Sequence, residues 1–264
     1  MILTRLIKDI LRGSGPLDPP GADREDADAV RLGADGGAND ESVEFISATR
    51  LSEADFWNRS ALGQSLRRLR RDNRVLSTIA FENGRGLPEV YNESLTDGRG
   101  DIVAFIHDDV WIDDYHIADR IIEGLQSFDV IGVAGNRRRV PSQPSWVFVD
   151  ERFTPDEQVH LSGAVAHGEH PFGEVSPFGP TRVSCELLDG LFLATRRSAL
   201  LANGIRFDPS FKFHFYDIDF CRTARQHNLQ LGTWPICLTH QSGGAFGSPE
   251  WKLQYSAYLQ KWRD

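Results

Sequence analysis

Cysteine is scarce in this sequence. The three cysteines, Cys185, Cys221 and Cys237, are odd in number and show no Cys-x-x-Cys spacing. Disulfide frameworks and zinc sites both need more regular cysteine patterns, so we expect neither. Reduced thiols are typical of a cytoplasmic protein.

Long apolar segments and excess positive charge are also lacking. No stretch approaches the roughly 20 apolar residues that span a membrane, and the first residues lack the apolar core of a signal peptide. The formal net charge is -9 and the pI is near 5.4. A nucleic-acid partner would require a basic stripe, so we expect a soluble, cytoplasmic protein that does not bind nucleic acid.

The composition fits one large globular domain with an appendage. The chain has 264 residues, of which 40% are apolar and 25% are charged, which is ordinary for a folded protein. Residues 1–42 are expected to form a short amphipathic helix (Ile2–Leu11) and a flexible linker (Gly13–Asn39), and residues 43–264 the domain. We expect this helix to pack on protein; the alternative is peripheral contact with the inner face of a membrane.

One short stretch, Asp101–Trp111, organises the rest of the domain. Its apolar run, Ile102–Ile106, predicts a strand buried on both faces of a sheet. His107, Asp108 and Asp109 follow at the carboxyl end, where open α/β sheets bind ligands. Two carboxylates and an imidazole suit a divalent metal. The alternative is a loop whose acids only cap the next helix.

Strands and helices alternate around this stretch. Strands are predicted at Val43–Thr49, Val75–Phe81, Ile102–Ile106 and Val130–Ala134, with intervening helices that open at Ser52, at Pro88 and after Trp111. This order predicts an α/β fold with a mostly parallel, doubly wound sheet.

The helix that opens at Ser52 carries a cluster of arginines near its C-terminal end. Arg67, Arg68, Arg70 and Arg71 are placed favourably for the helix dipole there. A solvated helix face is the simplest interpretation, and phosphate binding is the alternative.

The second half of the domain is less regular. Asn136–Arg182 is rich in proline and glycine and is interpreted as an irregular lid. A strand over Leu187–Thr195 is interrupted by Asp189-Gly190, and a last helix is predicted over Pro249–Trp262.

Two more groups of polar residues follow the irregular segment. Asp217 and Asp219 open a helix, so either could be an N-terminal cap; residues two apart do not share a helix face, so both should not point into one cleft. His240 follows a strand and precedes Ser-Gly-Gly. A single histidine is more often structural than a ligand, but together the groups suggest one site.

The motifs in this order resemble a glycosyltransferase of the GT-A fold, close to family 2, in the subgroup named for a streptomycin-biosynthesis protein. The resemblance covers roughly residues 43–244. The matching segments are Gly86–Leu95, Asp101–Trp111, Leu188–Ala194, Tyr216–Cys221 and His240–Gly244.

The resemblance implies a set of donor-side residues. Asp109 and His240 would hold Mn²⁺ or Mg²⁺ on the diphosphate of a nucleotide sugar. His107 stands at the first position of the usual Asp-x-Asp motif, and it is assigned with Asp108 to nucleotide binding. Thr49 and Glu82, which end the first two strands, would line the nucleoside pocket.

The resemblance also implies acceptor-side residues. Asp217 would be the catalytic base, supported by Asp219, although Tyr216 stands where the family usually has glutamate. Asp189 and Gly190 would border the acceptor.

The implied activity is inverting transfer of a sugar from a nucleoside-diphosphate donor to a saccharide or other hydroxyl acceptor, which could be lipid-linked. Synthesis of a bacterial polysaccharide or glycoconjugate is the expected setting. One alternative is a metal-dependent phosphoesterase or pyrophosphatase, whose two-metal sites need more ligands than are evident here. Another is a GT-A-like binding module without activity, suggested by His107 and Tyr216.

Overall fold

The computed structural model describes residues 40–243 and 246–264. The helix expected over Ile2–Leu11 and the linker expected over Gly13–Asn39 lie outside the described residues. Within the described part of the chain, no helix is long and apolar enough to cross a membrane.

The described residues form thirteen strands and seven α-helices. The strands are β1 (Val43–Ala48), β2 (Val75–Ala80), β3 (Ile102–Ile106), β4 (Val110–Ile112), β5 (Val130–Gly132), β6 (Ala134–Asn136), β7 (Leu161–His167), β8 (Glu174–Gly179), β9 (Ser184–Cys185), β10 (Leu187–Leu188), β11 (Phe192–Arg196), β12 (Leu231–Thr233) and β13 (Leu238–His240). The helices are α1 (Glu53–Arg59), α2 (Ala61–Leu69), α3 (Leu87–Asp97), α4 (Ile117–Gly124), α5 (Arg197–Ala202), α6 (Tyr216–Gln226) and α7 (Pro249–Trp262).

A seven-stranded sheet in the order β2-β1-β3-β11-β5-β12-β9 forms the body of the domain. The predicted α/β class is confirmed. The mostly parallel direction of the strands is also confirmed, since β2, β1, β3, β5 and β12 run the same way. Only β11, which is antiparallel to its neighbours β3 and β5, and the edge strand β9 run in the opposite direction. The chain enters β11 with Phe192 opposite Ile106, at the edge where β3 ends. That entry point forces the antiparallel direction.

A second sheet has the order β10-β6-β7-β13-β4, with β8 paired to β7. Its strands β7 and β8 lie within Asn136–Arg182, where the sequence predicted irregular structure. The strand expected over Val130–Ala134 is divided at Val133, so that β5 belongs to the first sheet and β6 to the second. The Val133 carbonyl accepts the Ala164 N–H at 3.1 Å, which ties the crossing point to β7. The segment expected to be an irregular lid therefore contains a β-hairpin, β7–β8.

The helix predicted to open at Ser52 is confirmed at its start but is two helices. The Ser52 side chain accepts the Asp55 N–H and caps α1. Ser60 has extended backbone angles, which end α1, and its hydroxyl accepts the Gly63 N–H at 2.9 Å to cap α2. Because Ser60 caps the new helix, the break between the two helices costs little free energy.

The core is built around β3. All five residues of Ile102–Ile106 are fully buried, as expected for a strand covered on both faces. Near the start of β3, Arg197 forms an ion pair with the buried Glu44. The Arg197 guanidinium also donates to the carbonyls of Gly100, Ser94 and Leu95 at 2.6–2.8 Å.

We predict that Arg197→Met lowers the free energy of unfolding by about 3–5 kcal/mol, because it leaves the Glu44 carboxylate buried without its cation. Urea denaturation measures this loss. The double variant Glu44→Gln/Arg197→Met should recover part of it, since no buried charge then remains. Equal losses in the single and double variants would show that packing, not the unpaired charge, sets the cost.

Candidate active site

Strand pairing brings three potential metal ligands together at one edge of the two sheets. His107 and Asp109 follow β3, and His240 ends β13, which pairs antiparallel with β4 so that His240 lies opposite Val110. The ligand atoms of His107, Asp109 and His240 all lie within 4.8 Å of one another. All three side chains are partly exposed, so a cation could reach them from solvent.

Asp109 and His240 form an ion pair within this cluster. The Asp109 Oδ1 and His240 Nε2 atoms are 3.3 Å apart. Burial by itself would raise the pKa of Asp109, but the hydrogen bond and charge of His240 outweigh burial and hold that pKa well below its usual range. Burial would likewise lower the pKa of His240, and the hydrogen bond to Asp109 raises it instead. Asp109 is therefore a carboxylate at neutral pH.

His107 is oriented by a tyrosine. Its Nε2 atom lies 2.8 Å from the Tyr216 hydroxyl, and that hydroxyl donates its single proton to the Gly190 carbonyl at 2.8 Å. The tyrosine oxygen must then accept a hydrogen bond from the Nε2–H of His107. In the neutral ring, the lone pair of Nδ1 is then available to a ligand. Burial also lowers the pKa of His107 and favours the neutral ring. His107, which the sequence assigned to nucleotide binding, thus lies beside Asp109 and His240, the two metal ligands predicted from sequence.

Asp217 faces the same cleft from the start of α6. Its Oδ2 atom accepts the Gly190 N–H at 3.1 Å. Burial, followed by the negative charge of Asp189, raises the pKa of Asp217 to about 7. A carboxyl group with that pKa can exchange a proton near neutral pH.

Asp189 and Gly190 shape the space beside Asp217. The Asp189 carboxylate is fixed by the Trp146 indole N–H at 2.8 Å and the Leu191 N–H at 2.9 Å. A Cβ atom at Gly190 would lie 2.5 Å from the Tyr216 hydroxyl and 2.7 Å from the Asp217 Cβ. Only glycine fits this position, so the main chain runs directly along the cleft.

The residues predicted to bind the nucleoside lie at the ends of β1 and β2. The Thr49 side chain is hydrogen-bonded to Asp108; burial nevertheless raises the pKa of Asp108 above its usual value. Glu82 has a positive φ of 47°, and its N–H donates to the Leu51 carbonyl at 2.9 Å. Thr49 and Asp108 are thus in contact, with Glu82 held beside Leu51.

Asp219 lies outside the cleft. Its carboxylate is 1% exposed and pairs with Lys261 at 2.7 Å, and it accepts the Trp262 indole N–H at 2.9 Å. It does not line the cleft, because a residue two positions after Asp217 lies on another face of α6. The acceptor-side role expected for Asp219 does not fit this placement; the residue anchors the end of α7.

Sequence reasoning missed the aromatic wall of the cleft. Its members come from segments with no shared motif, so no sequence spacing groups them. They are Trp146, Phe178, Phe213, Phe215, Phe246 and Trp251. His167 also lines the cleft, with its ring 6.3 Å from that of His240; its place opposite His240 in parallel β7 was not readable from sequence.

Solved structures with low sequence identity resemble the chain. S. aureus TarS 1-349 matches with 14% identity and a TM-score of 0.44 over 83% of this chain and 64% of that one. A mannosyltransferase, PcManGT from Pyrobaculum calidifontis, determined with GDP-Man and Mn²⁺, matches with 13% identity and a TM-score of 0.47 over 85% of this chain and 65% of that one. The chain thus spans slightly less than two thirds of these proteins.

No curated protein sequence matches the chain. A model of the family described as "Glycosyltransferase like family" matches residues 64–242, a segment that covers more than half of the chain and includes the metal-ligand cluster, Asp189, Gly190 and Asp217. The protein therefore belongs to this glycosyltransferase-like family.

Proposed function

We propose that the protein is a metal-dependent, inverting glycosyltransferase that moves a sugar from a nucleoside-diphosphate donor to an acceptor hydroxyl. The observation that carries the proposal is the cleft shared by the His107–Asp109–His240 cluster and Asp217. Such an arrangement provides a cation site for a diphosphate and a separate base for a hydroxyl. We propose polysaccharide or glycoconjugate synthesis as the setting, with a saccharide or lipid-linked acceptor.

The ligand cluster suits Mn²⁺ better than Mg²⁺. It offers two imidazoles and one carboxylate, whereas Mg²⁺ prefers an all-oxygen octahedron and dehydrates reluctantly. Imidazole ligands favour softer divalent ions, and diphosphate oxygens favour hard ones, so Mn²⁺ meets both demands. When bound, the cation would neutralise the charge that develops on the leaving diphosphate.

The donor's nucleoside would lie against the ends of β1 and β2. Thr49, Glu82 and Asp108 offer hydroxyl and carboxylate oxygens that can accept hydrogen bonds from a base or a ribose. This end of the site adjoins the metal-ligand cluster through the chain segment Asp108-Asp109.

The acceptor hydroxyl would be activated by Asp217. The carboxylate takes the hydroxyl proton while the oxygen attacks the anomeric carbon, and the bond to the diphosphate breaks with its electron pair leaving on the diphosphate. One base and a single displacement invert the configuration at that carbon. Gly190 would border the acceptor and leaves room for Tyr216 and Asp217 against its main chain, and Asp189 raises the proton affinity of the base.

We predict that one nucleoside diphosphate binds tightly only in the presence of Mn²⁺. Calorimetric titration of UDP, GDP and dTDP, with and without the metal, identifies it, and CMP serves as a monophosphate for comparison. Asp109→Ala should abolish the metal-dependent part of binding, because it removes the one anionic ligand. Asp97→Ala removes an exposed acid outside the site and is the matched control. Equal binding by both variants would place the donor elsewhere.

We predict that Asp217→Asn lowers kcat by about 10²–10⁴-fold, as expected for loss of a general base, while donor binding is kept. In the wild type kcat/KM should rise as pH increases through about 7, because the carboxyl group must lose its proton to act. Asp219→Asn, on the same helix, should reduce stability without moving the midpoint of this profile. An unchanged profile in Asp217→Asn would remove Asp217 as the base.

The raised pKa of Asp217 also predicts how stability depends on pH. The folded protein holds this proton more tightly than the unfolded chain, so its contribution is present at low pH and is lost as pH rises toward about 7. Urea denaturation of Asp217→Asn, measured without metal, should show a smaller decrease over this window. The denaturation curve also shows whether Asp217→Asn is folded, so that a lower kcat can be attributed to the missing carboxylate.

We predict that Tyr216→Phe weakens Mn²⁺ binding by about 10–100-fold, the usual cost of losing a group that orients a metal-ligating histidine. Phenylalanine has no hydroxyl to bind His107 Nε2, so the imidazole ring of His107 loses its fixed orientation. Titration of Mn²⁺ without nucleotide measures the effect. Tyr255→Phe, which removes a hydroxyl bonded to the Ser142 carbonyl, is the control. Wild-type affinity in Tyr216→Phe would show that Tyr216 does not orient His107 for metal binding.

A further inference from the structure

The four arginines noted in the sequence lie on one open face of the domain. Arg67, Arg68, Arg70 and Arg71, here called the arginine cluster, occupy the last turn of α2 and the residues after it, and all four are exposed. They line an open basin whose other walls are Gln64, Trp111, His170 and Pro171. No acidic residue is among the described residues that line it. In a chain of net charge -9, this is a concentrated region of positive charge.

The arginine cluster is not used to balance charge within the fold. Among the described residues, none of its members lies within 4.0 Å of a carboxylate. Arg68 donates to a neutral group, the Ile112 carbonyl, at 3.2 Å. Arg74, a few residues later, is by contrast held by Asp72 at 2.7 Å and Asp119 at 2.6 Å. The cluster therefore presents its charge to solvent, while its neighbour has a structural role.

An exposed aromatic ring lies next to the basin. The turn between β7 and β8 supplies its far wall, and Phe172 in that turn is 68% exposed. The Phe172 N–H donates to Asp113 Oδ2 at 3.1 Å, which holds the turn beside the end of β4. A single exposed ring is ordinary, but an exposed ring beside arginines that have no carboxylate partner is typical of surfaces that meet the membrane interface.

The basin adjoins the proposed catalytic cleft. Trp111 follows Asp109 by two residues, and its indole N–H donates to the Glu169 carbonyl at 3.1 Å. Gly168, in the same turn, donates its N–H to the His240 carbonyl at 3.2 Å. The turn at 168–173 thus contacts the metal-ligand cluster on one side and forms the basin wall on the other.

We propose that the arginine cluster and Phe172 form a contact surface for the phosphate headgroups of an anionic membrane. The basin is wide and open to solvent, and all four arginines line it. An open basin fits many headgroups in a plane better than one enclosed anion. Membrane contact does not depend on the proposed sugar transfer; its consequence, that the cleft is held beside lipid-linked acceptors, does.

Vesicle sedimentation with the full chain tests this surface. Vesicles of phosphatidylcholine with added phosphatidylglycerol should bind the protein more tightly than phosphatidylcholine alone, and added salt should weaken the binding. One arginine near such a surface typically contributes about fivefold to partitioning, so Arg70→Gln/Arg71→Gln should lose about 25-fold. Phe172→Ser should lose a further severalfold. Arg99→Gln/Arg152→Gln makes the same charge change at exposed arginines outside the basin and should bind as the wild type does.

Three outcomes would overturn the proposal. The first is equal binding to both kinds of vesicle. The second is wild-type binding by Arg70→Gln/Arg71→Gln, which would assign membrane contact to another segment such as Ile2–Leu11. The third is release of the protein by inorganic phosphate at the phosphate concentration of the vesicles, which would indicate a site for one free anion. Mn²⁺ binding, measured on each variant, shows independently whether the catalytic cleft is intact.

Discussion

The candidate site depends on the main chain of Gly190. Its N–H donates to the Asp217 carboxylate and its carbonyl accepts a hydrogen bond from the Tyr216 hydroxyl, so one residue connects the proposed base to the group that orients His107. No side chain fits there, since a Cβ would overlap both neighbours. This close approach positions α6 against the start of β11. Any residue larger than glycine would displace both Asp217, the proposed base, and Tyr216, which contacts His107.

The two carboxylates of the site have pKa values shifted in opposite directions. Burial and the neighbouring carboxylate of Asp189 raise the pKa of Asp217 to about 7. Burial would raise the pKa of Asp109 too, but the adjacent His240 holds it well below the usual range. Two acids whose environments separate their proton affinities can carry different roles at one pH. Here Asp109 is suited to hold a cation and Asp217 to accept a proton.

The two departures from the family's usual motifs contact each other. His107 stands in place of the first acid of the Asp-x-Asp motif and Tyr216 in place of a glutamate, and their side chains are 2.8 Å apart. A histidine that ligates a metal needs a partner for its second nitrogen, and Tyr216 supplies it. The contact gives both residues a place in one site, in which Tyr216 would orient His107 toward the proposed metal.

The sequence by itself determined the α/β class, the buried strand Ile102–Ile106 and the polar residues that follow it, because apolar runs and helix caps are local signals. It also showed that Asp217 and Asp219 should diverge, since their spacing fixes their directions on a helix. Only the tertiary structure decided that Asp219 anchors α7, that β11 is antiparallel, and that His107 joins Asp109 and His240. These outcomes depend on which distant segments of the chain pair. The spacing of residues within one segment does not determine those long-range contacts.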